Sequence, residues 1–184
     1  MARTPSNMLP LGTPAPAFSL PDPASGETVS IKSASGKPLL VVFMCNHCPF
    51  VIHIMEAFTQ LANELVGRGV SVVAISANDV DNFPDDSPEK MAALAREQGF
   101  SFPYLYDASQ EVARAYDAAC TPDFYLFDAA HTLVYRGQFD AARPGNSVEV
   151  TGRDLREAAE ALLAGERIAD EQIPSVGCNI KWID

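Results

Sequence analysis

Between Pro38 and Ser76 the spacing of apolar residues changes twice, and this limits the possible folds more than any other feature. Leu39-Leu40-Val41-Val42-Phe43 is a short continuous apolar run, the pattern of a strand buried on both faces. Val51, Ile54, Met55, Phe58, Leu61, Ala62 and Leu65 then follow steps of three and four, which trace one face of a helix. Gly67 and Gly69 stop that helix, and Val70 to Ser76 reads as a second buried strand. Strand, helix and strand in so short a span form a βαβ unit, so the sheet is at least partly parallel.

The flanking segments extend this frame. Residues 1–16 read as an extended arm. Phe18 to Leu20 and Thr28 to Ile31 flank a Pro-Asp-Pro-Ala-Ser-Gly turn cluster and read as a hairpin. Asp79 to Asp86 is an acidic loop, read as solvated. Ser87 offers an N-cap and Pro88 a first helical residue for a helix ending near Gly99. A short strand at Pro103–Tyr106 and a short helix at Gln110–Tyr116 come next. Asp123–Asp128 and Thr132–Gly137 read as an antiparallel hairpin. Thr151 and Asp154 resemble a capping box for a helix through Leu163. Cys178, Ile180 and Trp182, spaced by two, suggest a last extended segment. The expected fold is α/β, a mixed central sheet with helices on both faces, preceded by a β-hairpin extension and followed by a C-terminal tail. The expected organisation is an arm over 1–16, one domain over 17–165, and a tail over 166–184 packed on that domain.

Composition excludes several classes. The chain has 184 residues and a formal net charge of -11, so nucleic acid and anionic membranes are poor partners. No apolar run approaches a membrane span. The N-terminal stretch has Pro5, Pro10, Pro14 and Pro16 in place of a secretory apolar core, so a cytoplasmic location is expected. Four cysteines are too few for a disulfide scaffold in a chain of this length. Close cysteines then point to catalysis or metal binding.

Two of them, Cys45 and Cys48, lie where the first strand meets its helix, and in open sheets of this kind chemistry gathers beyond the carboxyl ends of parallel strands. Only the thiolate of cysteine attacks, and a helix N-terminus favours it with unpaired N–H groups and partial positive charge. Pro49 fits the first helical position, which makes Cys48 the N-cap and the attacking thiol, with Cys45 in the preceding turn as resolving thiol. A helix starting at Asn46 would reverse these places. His47 could set an imidazolium beside either sulfur, or be a solvated loop residue. Two other readings stand beside the redox one: a zinc site drawing on Cys45, His47, Cys48 and His53, which lacks a second ligand pair at finger-like spacing, and two inert core thiols. A second motif, Cys120-Thr121-Pro122-Asp123, opens the next strand with an X-Pro bond, a candidate for the cis form.

The apolar strand, the C-x-x-C at its end, the amphipathic helix and the Thr-Pro ahead of an antiparallel strand resemble the thioredoxin superfamily, over about residues 10–165. "CNHCPFV", "NDVDNFPDDSPEKM", "CTPDFYLFD" and "GCNIKW" resemble more narrowly its redoxin group, AhpC/TSA-like or thiol–disulfide isomerase-like. The resemblance implies that Pro122 is a cis-proline facing the cysteine pair and that Thr121 presents backbone to a bound thiol substrate. It also implies that the loop from Asn78 to Asp86 borders the site. The chain departs from thioredoxin in lacking a buried acid on the strand before the cysteines. It departs from peroxiredoxins in carrying Cys45 where they have a substrate-orienting threonine. Arg136 could serve as their active-site arginine or be a solvated strand residue. Cys120 reads as a small buried thiol and Cys178 as part of a docked structural tail, each with a redox role as the alternative. The expected activity is thiol–disulfide exchange on a disulfide-containing protein or small thiol substrate. An external dithiol reductant would regenerate the pair, and no cofactor is expected. Thiol peroxidase activity on a peroxide, and a redox-inactive binding module, are the alternatives.

Overall fold

The apolar run Leu39 to Phe43 forms the middle of the central sheet. The computed structural model describes residues 3–183. Its elements in chain order are β1 (Arg3–Pro5), β2 (Ser19–Pro21), β3 (Thr28–Ser30), β4 (Leu39–Phe43), α1 (Pro49–Gly67), β5 (Ser71–Ser76), α2 (Pro88–Gln98) and β6 (Tyr104–Tyr106). These are followed by α3 (Glu111–Ala115), β7 (Cys120–Thr121), β8 (Asp123–Phe127), β9 (Leu133–Tyr135), α4 (Arg153–Leu163) and β10 (Val176–Asn179). The sheet runs β6-β5-β4-β8-β9. β4 pairs with β5, and β5 with β6, in parallel; β8 pairs antiparallel with both β4 and β9. This is the mixed α/β sheet expected. No helix among the described residues is long and apolar enough to cross a membrane.

Each face of the sheet carries its own core. All five β4 side chains are buried, and burying one such apolar side chain contributes about 1.5–3 kcal/mol. Leu40 and Val42 point to one face, where Val51, Ile54, Met55, Phe58, Leu61, Ala62 and Leu65 of α1 meet Met91 and Ala95 of α2 and Leu155 and Ala158 of α4. Leu39, Val41 and Phe43 point to the other, against Phe18 and Leu20, Val112, Ala113 and Tyr116, and Ile180. The three-four spacing of α1 is thus the spacing of its buried face.

Two short antiparallel units lie outside the main sheet. β2 and β3 form the N-terminal hairpin. β10 lies between β1 and β7, with Arg3 opposite Cys178 on one side and Thr121 opposite Cys178 on the other. β10 thus joins β1 to the strand that carries the Thr-Pro corner.

Helix starts divide by which group takes the free N–H groups. Ser87 caps α2, its hydroxyl accepting from the Lys90 N–H, as expected. Thr151 is not the N-cap residue of α4. Gly152 is the N-cap, with φ 68, and the buried carboxylate of Asp140 accepts from the N–H of both Thr151 and Gly152 at 2.7 Å. The first N–H groups of the helix itself go elsewhere: the Thr151 hydroxyl accepts from Arg153 at 3.3 Å, and the Phe139 carbonyl accepts from Asp154 and Leu155. Gly152 also has no room for a side chain, because a Cβ there would meet the Phe139 ring at 2.5 Å.

Candidate active site

α1 begins at Pro49, so Cys48 is its N-cap residue and Pro49 its first residue. This settles the helix phase in favour of the reading that puts Cys48 at the cap. The cap works differently from the expectation, however. The Val51 and Ile52 N–H groups donate to the Cys48 carbonyl, and the sulfur makes no capping hydrogen bond. The sulfur turns instead toward the Thr-Pro corner. Cys48 Sγ lies 3.3 Å from the Thr121 carbonyl oxygen and 2.8 Å from Cys178 Sγ. Cys45 Sγ lies 3.6 Å from Thr121 Oγ1. The Thr121–Pro122 bond is cis. Cys45, Cys48, Thr121 and Pro122 thus come together, and all four are buried.

Hydrogen bonding between the two thiols divides their acidities. Cys48 is held below the ordinary thiol range, first by the hydrogen bond from Cys45 and against the cost of burial, with Cys178 and Thr121 helping. The Thr121 carbonyl opposes this, since it accepts only from the protonated thiol. Of the two thiols, Cys48 is the one shifted toward ionisation. Cys45 is pushed far up by donating to Cys48, by burial and by the nearby Asp86 carboxylate.

Asp86 is a site residue that sequence reasoning misplaced in a solvated loop. Its side chain is fully buried. Oδ1 accepts from the Asn46 N–H at 2.8 Å and the His47 N–H at 3.3 Å, and Oδ2 accepts from Asn78 Nδ2 at 2.8 Å. His47 Nδ1 sits 2.6 Å from Oδ2, within ion-pair distance but off the line of a hydrogen bond. His47 also stacks on Phe83, with ring centroids 5.7 Å apart. The Asn78–Asp86 loop therefore borders the site and fixes the turn between the cysteines. Asn78 Oδ1 in turn accepts from the Lys181 N–H at 2.9 Å, tying that turn to the C-terminal tail. The place of the loop after the second parallel strand, and the redoxin resemblance, pointed to this loop as a border of the site; neither singled out Asp86.

The other candidates separate cleanly. Arg136 is not at the site: its guanidinium holds the Leu9 carbonyl and the Gln172 side chain. Cys120 is buried with its thiol against the Pro122 carbonyl at 3.7 Å, and burial beside Asp123 pushes its pKa up. Asp123, opposite Phe43 in the β4–β8 ladder, is a buried acid on a different strand from the one where thioredoxin carries it. Burial pushes it up to about 7, and its charge bears on Cys120. Cys178 is in contact with Cys48, where sequence reasoning gave more weight to a structural tail.

Cys45, His47 and Asp86 also bring potential metal-ligand atoms within 4.8 Å of one another. They fit a metal poorly. Asp86 already accepts from Asn46, His47 and Asn78, and Cys45 is the thiol least able to ionise.

A sequence model of the AhpC/TSA family matches residues 11–136. "Putative peroxiredoxin Rv2521" of Mycobacterium tuberculosis is 34% identical over 116 residues, 62% of this chain and 68% of that one. A crystal structure of an uncharacterized conserved protein from Geobacillus kaustophilus is 50% identical, with a TM-score of 0.97 over 100% of this chain and 97% of that one. A thiol:disulfide interchange protein of the thioredoxin family from Chlorobium tepidum TLS shares the fold, at 20% identity and a TM-score of 0.64, over 83% of this chain and 97% of that one. With a family match over residues 11–136 and a thioredoxin-like fold beneath it, this chain belongs to the AhpC/TSA family of redoxins.

Proposed function

We propose that the protein is a thiol–disulfide oxidoreductase in which Cys48 attacks and Cys45 resolves. The observation that carries this is the convergence of both sulfurs on the cis Thr121–Pro122 corner, Cys48 Sγ 3.3 Å from the Thr121 carbonyl oxygen and Cys45 Sγ 3.6 Å from its hydroxyl, with the Cys48 thiol shifted down and the Cys45 thiol up. Cys48 thiolate attacks one sulfur of a substrate disulfide, a mixed disulfide forms, and the other sulfur leaves as thiolate. Cys45 then loses its proton, attacks the Cys48 sulfur and expels the second substrate thiolate. The chain is left with a Cys45–Cys48 disulfide, which an external dithiol reduces. Once Cys48 is no longer an anion, the largest cause holding the Cys45 proton is gone, which times the second attack.

Burial shapes the substrate range. Cys48 is 0% exposed, and the hollow beside Pro122 has a volume of only about 10 Å³. A large disulfide reaches the sulfur only when β10, whose Cys178 lies against it, moves. This favours one second reading, a thiol peroxidase, because a peroxide is small enough to enter a closed site. There Cys48 becomes a sulfenic acid and condenses with a neighbouring thiol, releasing water. Membership of the AhpC/TSA family and the peroxiredoxin name of a relative support it; the place of Cys45 and the distant Arg136 weigh against it. Side-by-side oxidation of the reduced protein by hydrogen peroxide and by a small disulfide tests both. Faster oxidation by the disulfide is expected, with both reactions absent in Cys48→Ser. A decisive preference for peroxide replaces the first reading with the second.

A further inference from the structure

The edge of β7 beside Cys48 is occupied by the chain itself. β10 adds to it antiparallel, with Cys178 opposite Thr121 and Asn179 opposite Cys120. The fit is close: a Cβ on Gly177 would stand 1.8 Å from the Thr121 carbonyl oxygen, so only glycine lets the two backbones lie this near. The strand so held delivers Cys178 Sγ to 2.8 Å from Cys48 Sγ. An extended segment paired by its backbone to a sheet edge, with one side chain carried into a reactive centre, is the arrangement of a bound peptide substrate. Here the peptide is tethered.

We propose that β10 is a built-in disulfide partner: Cys178 resolves Cys48, so that Cys48 is shared between two alternative disulfides, Cys45–Cys48 and Cys48–Cys178. The inference rests on Cys48 being the attacking thiol and goes beyond the motif, which holds Cys45 alone as its partner.

The step balances as any thiol–disulfide exchange does. After Cys48 has formed a mixed disulfide with a substrate sulfur, Cys178 gives up its proton and attacks Cys48 Sγ. The Cys48–Cys178 bond forms, the Cys48–substrate bond breaks, and the substrate leaves as a thiolate that takes up a proton. One substrate disulfide is reduced and two chain thiols are oxidised. Electrostatics favour Cys178 at that moment. Burial, and then the hydrogen bond to Cys48, push Cys178 up to about 12, and its charge contact with Cys48 adds to this. Conversion of Cys48 to a disulfide removes both contributions from Cys48. Cys178 then keeps the favourable Lys181 ammonium, whereas Cys45 keeps the unfavourable Asp86 carboxylate, offset only in part by the Thr121 hydroxyl.

The test uses the full chain with Cys45→Ser, treated with glutathione disulfide, acid-quenched and mapped without reduction. The expected product is an internal bond between the peptides carrying Cys48 and Cys178, with no lasting glutathione adduct. Adding Cys178→Ser should trap glutathione on Cys48. Accumulation of that adduct in Cys45→Ser alone, with Cys178 unlinked, overturns the proposal and leaves the attacking role of Cys48 intact. No adduct on Cys48 even in the double variant defeats both. Should a substituted chain not fold, early quenches of the wild type carry the same test: Cys178 should appear in a disulfide, and its remaining unlinked at every time overturns the proposal.

Discussion

The turn from Met44 to Pro49 and the strand β10 bring thiols to one sulfur by different means. Cys45 arrives from three residues away, held by a turn whose N–H groups Asp86 accepts. Cys178 arrives from 130 residues away, held by the ladder to β7 and the bare Cα of Gly177. The first thiol is placed by local geometry and the second by long-range pairing. A reactive centre can thus be built from one part that a motif announces and one that it does not.

The largest effect should come from the sulfur both regions share. Cys48→Ser should lower disulfide reduction by at least about 1,000-fold, as removal of a nucleophile does. Retained turnover in Cys48→Ser, together with its loss in Cys45→Ser, would instead make Cys45 the attacking thiol.

The two regions should also separate by stability. Gly177→Ala forces the added methyl into the Thr121 carbonyl, so β10 must leave β7 or β7 must shift. We expect a cost of about 3 kcal/mol in urea unfolding and faster alkylation of Cys48, because its cover has moved. An unchanged midpoint and an unchanged alkylation rate would mean that β10 is not the cover. Asp86→Ala acts on the turn alone. It strips the acceptor from the Asn46 and His47 N–H groups and from Asn78 Nδ2, at about 2 kcal/mol. The turn should loosen while the Cys178–Cys48 contact persists, so cross-linking through Cys45 should slow more than cross-linking through Cys178. Equal slowing would show that Asn78, which bonds both Asp86 and the Lys181 N–H, couples the two regions.

This contrast also explains what could be read from the chain. The βαβ unit, the helix phase and the Cys48 cap were legible because each is set by residues within a few positions: an apolar run, a three-four spacing, a proline after the cap. The sheet hairpins were legible for the same reason. Asp86 was not, because its burial depends on where the loop folds back, and an aspartate among aspartates carries no mark of that. Thr151 misled because the acceptor for the Asp154 and Leu155 N–H groups is the carbonyl of Phe139, a residue well before the helix that no local pattern marks. Cys178 was noticed but given more weight as structure than as chemistry. Cys178 packs in the core with α1, whereas Ile180, two positions on, packs in the other core with α3.

The smallest effect gives the sharpest comparison, because it ranks the two thiols on one scale. Both donate toward Cys48, and the hydrogen bond from Cys45 is the largest cause of its lowered pKa, ahead of the one from Cys178. A pKa lowered on folding means that Cys48 is already ionised where a free thiol, near 8.5, is not. Its thiolate absorbance should therefore stay flat as pH rises through the ordinary thiol range, and fall only on the acid side. The same bonds stabilise the fold above the unfolded thiol's pKa, and that contribution is lost as pH falls through the folded one. Cys45→Ala and Cys178→Ala should each move the transition upward, Cys45→Ala by more. A larger shift from Cys178→Ala would invert the ranking and make the distant strand, not the motif, the chief source of the reactivity of Cys48.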